Sequence, residues 1–265
     1  MTDFKSKVKN VVKNNFKISK EKYFEFEKKY NFFHNLSVAL GNFLNIQPNS
    51  TVLDIGCGYG ISTNAIKKEF NVSEVIGIDL SDEMINFGKA IYPSLNLMTC
   101  DGEEIENIFK NRQFNYIVYN ASIFIFPDTL TAFKSAFNLI KKNGYIGFSH
   151  YPEIIDTFTG KDLFSHAFEI SGFPLPKKRV ISDLTTCINN LSKANFKNII
   201  TTEYTLRLNT EFLIDFFSIP AQSASLFPKN SYKERVPLIK KLFQNLKQFE
   251  SKGKISWKIV KAEKL

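Results

Sequence analysis

No apolar stretch of this 265-residue sequence reaches the roughly 18 residues a transmembrane helix needs, so no transmembrane helix is expected. A secretory leader is not expected either: MTDFKSKVKNVVKNNFKISKEK is charged throughout and has no apolar centre or small-residue cleavage site. The expected location is the cytoplasm. Cysteine is scarce, and Cys57, Cys100 and Cys187 form an odd set without CxxC or Cys/His spacing. That pattern argues against a disulfide framework and a zinc site, leaving reduced thiols in the packing and no metal expected. Acidic residues are fewer than basic ones, giving a net charge of +9. The lysines are nevertheless spread along the whole chain among Asn, Ile and Phe rather than clustered or interleaved with aromatics, so a nucleic-acid partner is disfavoured. The Lys-rich start reads as the solvated side of amphipathic helices, with Phe4, Val8, Val11 and Val12 inward.

What is present is a core-forming composition, 43% hydrophobic, which suits one domain with insertions. Residues 1–47 show helical spacing and form a cap, ended by turn chemistry at Pro48 and Asn49. Residues 48–150 alternate apolar strands (51–55, 74–80, 95–100, 114–120 and 144–150) with amphipathic helices at about 61–70, 82–91, 103–110 and 128–142. Strand then helix, repeated, predicts a parallel sheet covered on both faces, an α/β doubly wound, Rossmann-like architecture. Residues 151–179 and 209–250 read as insertions that cover substrate. The first shows no strand, and the second is helical and broken at Pro220, Pro228 and Pro237. A helix at about 182–194 with Ser182 as N-cap, a strand at 197–208 and an antiparallel closing strand at 254–264 complete the reading.

The stretch TVLDIGCGYG at 51–60 carries the chemistry. Its spacing, G-x-G-x-G, lacks the third glycine of a dinucleotide fingerprint, and no Gly-Lys-Ser/Thr follows to make a phosphate loop. Asp54, just before the glycines, would repel a pyrophosphate and attract an ammonium or sulfonium. Asp79 closes the second strand, where a carboxylate accepts hydrogen bonds from both hydroxyls of a ribose. Asp101 follows the third strand and is placed to accept from an adenine amino group. A nucleoside with a positively charged tail meets all three demands.

With VLDIGCGYG, VIGIDLSDEM, CDGEEI and FNYIVYNASIFIFPD in order over residues 45–150, the sequence resembles the class I S-adenosylmethionine-dependent methyltransferases. The resemblance implies that Asp54, Gly56, Cys57, Gly58 and Gly60 seat the methionine moiety. It makes Asp79 and Leu80 the ribose contacts, Met84 an apolar cover, Asp101 and Gly102 the adenine readers, and Asn120 a neighbour of the methionine end or the acceptor. It further implies S-adenosyl-L-methionine as cofactor, S-adenosyl-L-homocysteine as product and a small-molecule acceptor. His150, at the end of the fifth strand, is the expected general base or substrate ligand. His34, His166, Tyr119, Tyr151 and Asp128 are further candidates. The Phe-rich covering segments suggest an apolar or aromatic acceptor. A non-catalytic cofactor-binding partner and a nucleic-acid methyltransferase are the alternative readings. The segment after the fourth strand lacks the Asp/Asn-Pro-Pro-aromatic motif of enzymes that methylate base amino groups, and the acid and glycine loop are intact. The sequence sets no oligomeric state.

Overall fold

The computed structural model describes residues 2–176 and 180–265. Three helices come first: α1 (Thr2–Lys17), α2 (Lys20–Tyr30) and α3 (Phe32–Leu44). Then follow β1 (Thr51–Ile55), α4 (Ile61–Glu69), β2 (Glu74–Asp79), α5 (Asp82–Ile91), β3 (Asn96–Thr99), α6 (Ile105–Ile108), β4 (Phe114–Tyr119), α7 (Thr129–Leu139) and β5 (Ile140–Ser149). The chain continues through β6 (Glu153–Asp156), α8 (Leu163–Ser171), α9 (Leu184–Lys193), β7 (Lys197–Arg207), α10 (Thr210–Phe217), α11 (Pro220–Ser223), α12 (Tyr232–Gln244) and β8 (Gly253–Glu263). The strand order is β3-β2-β1-β4-β5-β8, with β7 along the other edge of β8. The first five strands are parallel, and β8 runs antiparallel to β5, β6 and β7.

The period-two alternation of the strands sends side chains into two separate cores. In β1, Val52 joins the core beneath α3 and the covering helices, whereas Leu53 and Ile55 join the core beneath α7 and α9. Ile255, Trp257 and Ile259 of β8 face the first core, and Val260 and Ala262 face the second. Because the order reverses at β1, with β2 on one side and β4 on the other, a crevice opens beyond the carboxyl ends of these strands.

Four expectations need correction. Residues 151–179 do hold a strand: Glu153–Asp156 pairs antiparallel with Ser256–Gly253, on the same edge of β8 that β5 occupies one turn earlier. Residues 177–179 of that segment lie outside the described residues. The cap of α9 is Asp183, whose carboxylate accepts from the Thr186 N–H, while the Ser182 hydroxyl donates to the Phe126 carbonyl instead. Pro237 does not break its helix but sits inside α12, on an exposed position where the carbonyl it leaves unpaired is open to water. In α1, Phe4 and Val11 are 60% and 59% exposed rather than inward, because the lysine face of the helix is drawn onto acids of the core.

One glycine fixes how near α5 comes to the β1–α4 turn. A Cβ on Gly88 would lie 2.4 Å from the Tyr59 carbonyl oxygen, a backbone atom that cannot swing aside. On an ordinary helix position Gly→Ala stabilises by up to about 1 kcal/mol. Gly88→Ala is expected to do the reverse, costing about 1–3 kcal/mol through overpacking. Urea unfolding checks this through a lower midpoint at unchanged slope.

Candidate functional site

The turn between β1 and α4 is built from glycines because the backbone enters the left-handed region three times, at Gly56, Gly58 and Gly60, with φ of 73°, 58° and 93°. At Gly56 a side chain is excluded twice over, since its Cβ would also stand 2.5 Å from the Ser122 Cβ. Ser122 is held there by donating to the Ile55 carbonyl at 2.8 Å. Two amides of the turn, those of Gly56 and Cys57, donate back to the Ile78 carbonyl.

Asp54 lies beneath this turn and is fully buried. Its Oδ2 accepts from the hydroxyls of Ser62 at 2.6 Å and Thr63 at 2.7 Å, both in the first turn of α4, where a helix favours negative charge. Oδ1 has no hydrogen-bond partner among the described residues. Burial pushes the carboxyl up to about 6 against the two hydroxyl bonds, and the nearby Asp79 adds to the rise. A buried acceptor left open beneath the turn marks a place where a further donor belongs.

Asp79, at the end of β2, accepts from the Gly58 N–H at 2.8 Å through Oδ2 and from the Ser81 N–H at 2.9 Å through Oδ1. Burial raises its pKa and those backbone donors pull it back. Each carboxylate oxygen keeps lone-pair capacity for a further donor.

Two adjoining cavities open here. The first, about 650 Å³, is lined by Gly56, Asp79, Leu80, Asp101, Gly102 and Ile125 among others. The second, about 610 Å³, takes in Cys57, Gly58, Met84 and Asn120, with the rings of Phe16, Tyr23, Phe33, Tyr59, Phe124, Phe216 and Trp257. Gly56, Phe16 and Ala121 belong to both, so the two are halves of one crevice. Asn120 donates to the Phe33 carbonyl at 3.1 Å and accepts from the Ser149 hydroxyl at 3.2 Å. The Cys57 thiol is buried, which raises its pKa well above the ordinary value and keeps it protonated. Gly60 and Asp54 line neither cavity: one caps α4 and the other supports the turn from below.

The histidines are placed elsewhere. His150 lines neither half of the crevice. It lies behind the Phe124 ring, 5.6 Å between centroids, with Nε2 3.0 Å from the Ser182 carbonyl oxygen. A carbonyl only accepts, so Nε2 carries the proton and offers no lone pair. Burial lowers its pKa and holds it neutral. His34 faces Glu69 at 3.5 Å in a further opening that shares Tyr59 and Ile61 with the chamber, and His166 pairs with Glu169 beside Phe249. Tyr119 is buried within the sheet core. Asp128 caps α7 and is ion-paired to Lys5, whose donation together with that of Thr131 outweighs burial and brings the carboxyl down to about 2.

Sequence reasoning misses the part played by α1. Lys5, Lys9, Lys13 and Lys17 recur every four residues, one face of a helix, and each meets an acid of the crevice rim. Lys5 pairs with Asp128, Lys9 with Asp101 at 2.6 Å and Glu103 at 2.8 Å, Lys13 with Asp82 at 2.7 Å, and Lys17 with Glu83 at 2.8 Å. Burial opposes the charge of Lys9, but Asp101 and Glu103 outweigh it and raise its pKa. The helix therefore lies across the crevice, with Lys9, Val12, Lys13 and Phe16 in the wall of its first half. Asp101, expected to read an adenine amino group, gives Oδ2 to Lys9 and Oδ1 to the Glu103 N–H. The four-residue lysine period was the signal that could have shown it.

A family model described as "Methyltransferase domain" matches residues 52–144, which include β1, the glycine turn, Asp79 and Asp101. The putative methyltransferase 235L of Invertebrate iridescent virus 6 is 33% identical over 109 residues, covering 41% of this chain and 36% of that protein. A demethylmenaquinone methyltransferase of Staphylococcus aureus is 30% identical over 105 residues, 39% of this chain and 44% of that one. The chain thus spans less than half the length of these curated relatives. Among solved structures, phosphoethanolamine N-methyltransferase 2 of Haemonchus contortus with S-adenosyl-L-methionine superposes over 87% of this chain and 52% of its own, with a TM-score of 0.58 and 19% identity. That likeness is one of fold.

Two outcomes follow from the crevice. Only the Lys9 pairs are largely shielded, and exposed pairs contribute little. Lys9→Ala is therefore expected to speed hydrogen exchange along α1 more than Lys17→Ala does, and raising salt from about 0.05 to 0.5 M should act in the same direction; equal exchange in the two variants would contradict the latch. For Asp54, the folded state disfavours the charged form, so stability present at low pH is lost as pH rises from about 4 to about 6. Relative to wild type, Asp54→Asn should gain stability across that window and level off above it. Urea titrations at several pH values measure the difference, and a relative loss would show a carboxylate stabilised as the anion.

Proposed function

We propose that the chain, whose residues 52–144 match a family model described as "Methyltransferase domain", is a class I S-adenosylmethionine-dependent methyltransferase that transfers a methyl group from S-adenosyl-L-methionine to a small, largely apolar acceptor. The observation that carries the reading is the pairing of an acid-bearing glycine turn with an aromatic chamber in one crevice. The residues present suit the cofactor. Asp79 offers acceptor capacity on both oxygens to a pair of vicinal hydroxyls. Gly56 and Gly58 let a ligand approach the backbone. Asp54, beneath the turn, lines neither half of the crevice and holds the turn from below through Ser62 and Thr63. When bound, the cofactor supplies an electrophilic methyl group on a sulfonium, which an acceptor takes up in line from about 3 Å.

The chain's own part is alignment and exclusion of water. Phe16, Tyr23, Phe33, Phe124, Phe216 and Trp257 wall the chamber, and their rings suit both an apolar acceptor and the positive charge near it. Asn120 is locked between Phe33 and Ser149 and fixes the end of β4 at the junction of the two halves. Tyr23 and Gln222 are joined by a 2.8 Å hydrogen bond in the chamber wall and form a polar pair for one heteroatom of the acceptor. No histidine of this chain stands in as a base, so the acceptor enters as a nucleophile or loses its proton to water.

The relatives' names span a quinone and a phosphoethanolamine. A phosphate ester asks for Lys or Arg, and the described residues lining the chamber include neither. The chemistry of this wall fits the apolar end of that range. A nucleic-acid acceptor fits less well, because the lysine stripe of α1, which lies along the crevice, is already paired with Asp128, Asp101, Glu103, Asp82 and Glu83. A binding protein without catalysis would not need the in-line space that the aromatic chamber provides.

Isothermal titration with S-adenosyl-L-homocysteine tests the assignment. Wild type is expected to bind, and Asp79→Ala to bind about 30- to 1000-fold more weakly, the loss of charge-assisted acceptors for two hydroxyls being worth on the order of 2–4 kcal/mol. Undiminished binding by the variant, with its fold verified by circular dichroism, would remove Asp79 from the site.

A further inference from the structure

A third space adjoins the crevice. It is a groove between α1, the turn after β4, residues 180–181 and α11. Phe16, Ala121, Phe124 and Gln222 line both the groove and the aromatic chamber, so the two spaces are continuous. Among the described residues lining the groove there is no Asp, Glu, Lys, Arg or His, whereas the first half of the crevice carries Lys9, Lys13, Asp79, Asp101 and Glu103. Charge is thus partitioned sharply between two spaces that share the Phe16 side chain. Val12, Ile125, Val180 and Ile181 are only half-buried, and Val11, at 59% exposure, extends the apolar lining to the surface.

We propose that this groove binds a hydrocarbon chain belonging to the methyl acceptor, whose reactive head lies in the aromatic chamber. The proposal rests on the methyl-transfer reading. The occupant follows from continuity and charge. The groove's described lining is mainly apolar, with Asn15, Tyr151, Gln222 and Ser225 as its neutral polar groups, so a space that opens directly from the chamber lowers the free energy of an apolar chain anchored at its inner end. It penalises a charged one, which would lose hydration without gaining an ionic partner among the described residues. Gln222, on both walls, marks where the polar head gives way to the tail. Recognition by an uncharged trough selects for chain length rather than for a particular terminal group.

The protein reports on its own occupancy, since Trp257 is its one tryptophan and lines the chamber. Protein saturated with S-adenosyl-L-homocysteine is titrated with n-alkan-1-ols from hexanol to dodecanol while Trp257 fluorescence is followed. Affinity is expected to rise about fourfold per added methylene until the groove is filled. Val180→Glu and Ala224→Glu, each at the groove wall away from Asp79 and the glycine turn, are expected to flatten this dependence. Their affinity for S-adenosyl-L-homocysteine, measured by calorimetry, should stay within about twofold of wild type if the groove is separate from the charged cavity. A flat series in wild type, or an unchanged slope in both variants, overturns the groove assignment. Failure of wild type to bind S-adenosyl-L-homocysteine overturns the methyl-transfer reading instead, and the alkanol series without it still reads the groove.

Discussion

The closeness with which three separate segments approach the turn at residues 56–60 governs the rest of the site. Ser122 occupies the space a Gly56 side chain would fill, Gly88 lets α5 touch the Tyr59 carbonyl, and the Gly58 amide reaches the Asp79 carboxylate. Close packing is unforgiving at this density, so the positions of Asp79, of the end of β4 and of the α4 N-terminus are set by the same contacts. The crevice is a product of sheet topology, but its width is a product of these few small residues.

Electrostatics divides the molecule in a way that the overall charge conceals. A formal +9 is carried by a chain whose most regular basic stripe is paired with acids along the crevice, with Lys9 the most shielded of its four lysines. Asp54 adds the opposite anomaly, a buried carboxylate whose Oδ1 has no hydrogen-bond partner among the described residues and whose pKa burial raises to about 6. Each exception concentrates where ligand groups of defined charge are expected, which is where local stability is commonly given up for binding.

Much of this was legible in the sequence. The apolar strands of the parallel sheet announced themselves because both faces are covered, and three glycines behind an acid leave few alternatives for a β–α turn. Other features were not legible, for identifiable reasons. Glu153–Asp156 is four residues long and follows Pro152, and apart from a bridge between Ile155 and Asp162 its pairing is with β8, a hundred residues later. The α1 periodicity allows two inward faces, and only the tertiary placement of Asp82, Asp101 and Asp128 chooses the lysine one. His150 sits at the correct end of the correct strand, yet the Phe124 ring stands in front of it, a matter of one rotamer and a neighbouring loop rather than of sequence position. Ser182 and Asp183 are both competent caps; Phe126 draws the serine away.

Helix α1 supplies wall to all three spaces at once: Phe16 lines each of them, and Val12 lines both the charged cavity and the groove. A shared wall makes their contents energetically interdependent even where they never touch. Whatever settles into the charged cavity and stills α1 has already met part of the ordering cost that a chain in the groove would otherwise bear, and the favour is returned in equal measure, since such coupling is reciprocal. On the proposed reading, two ligands of opposite character, one ionic and one greasy, would be coupled through the single amphipathic helix that both of them touch.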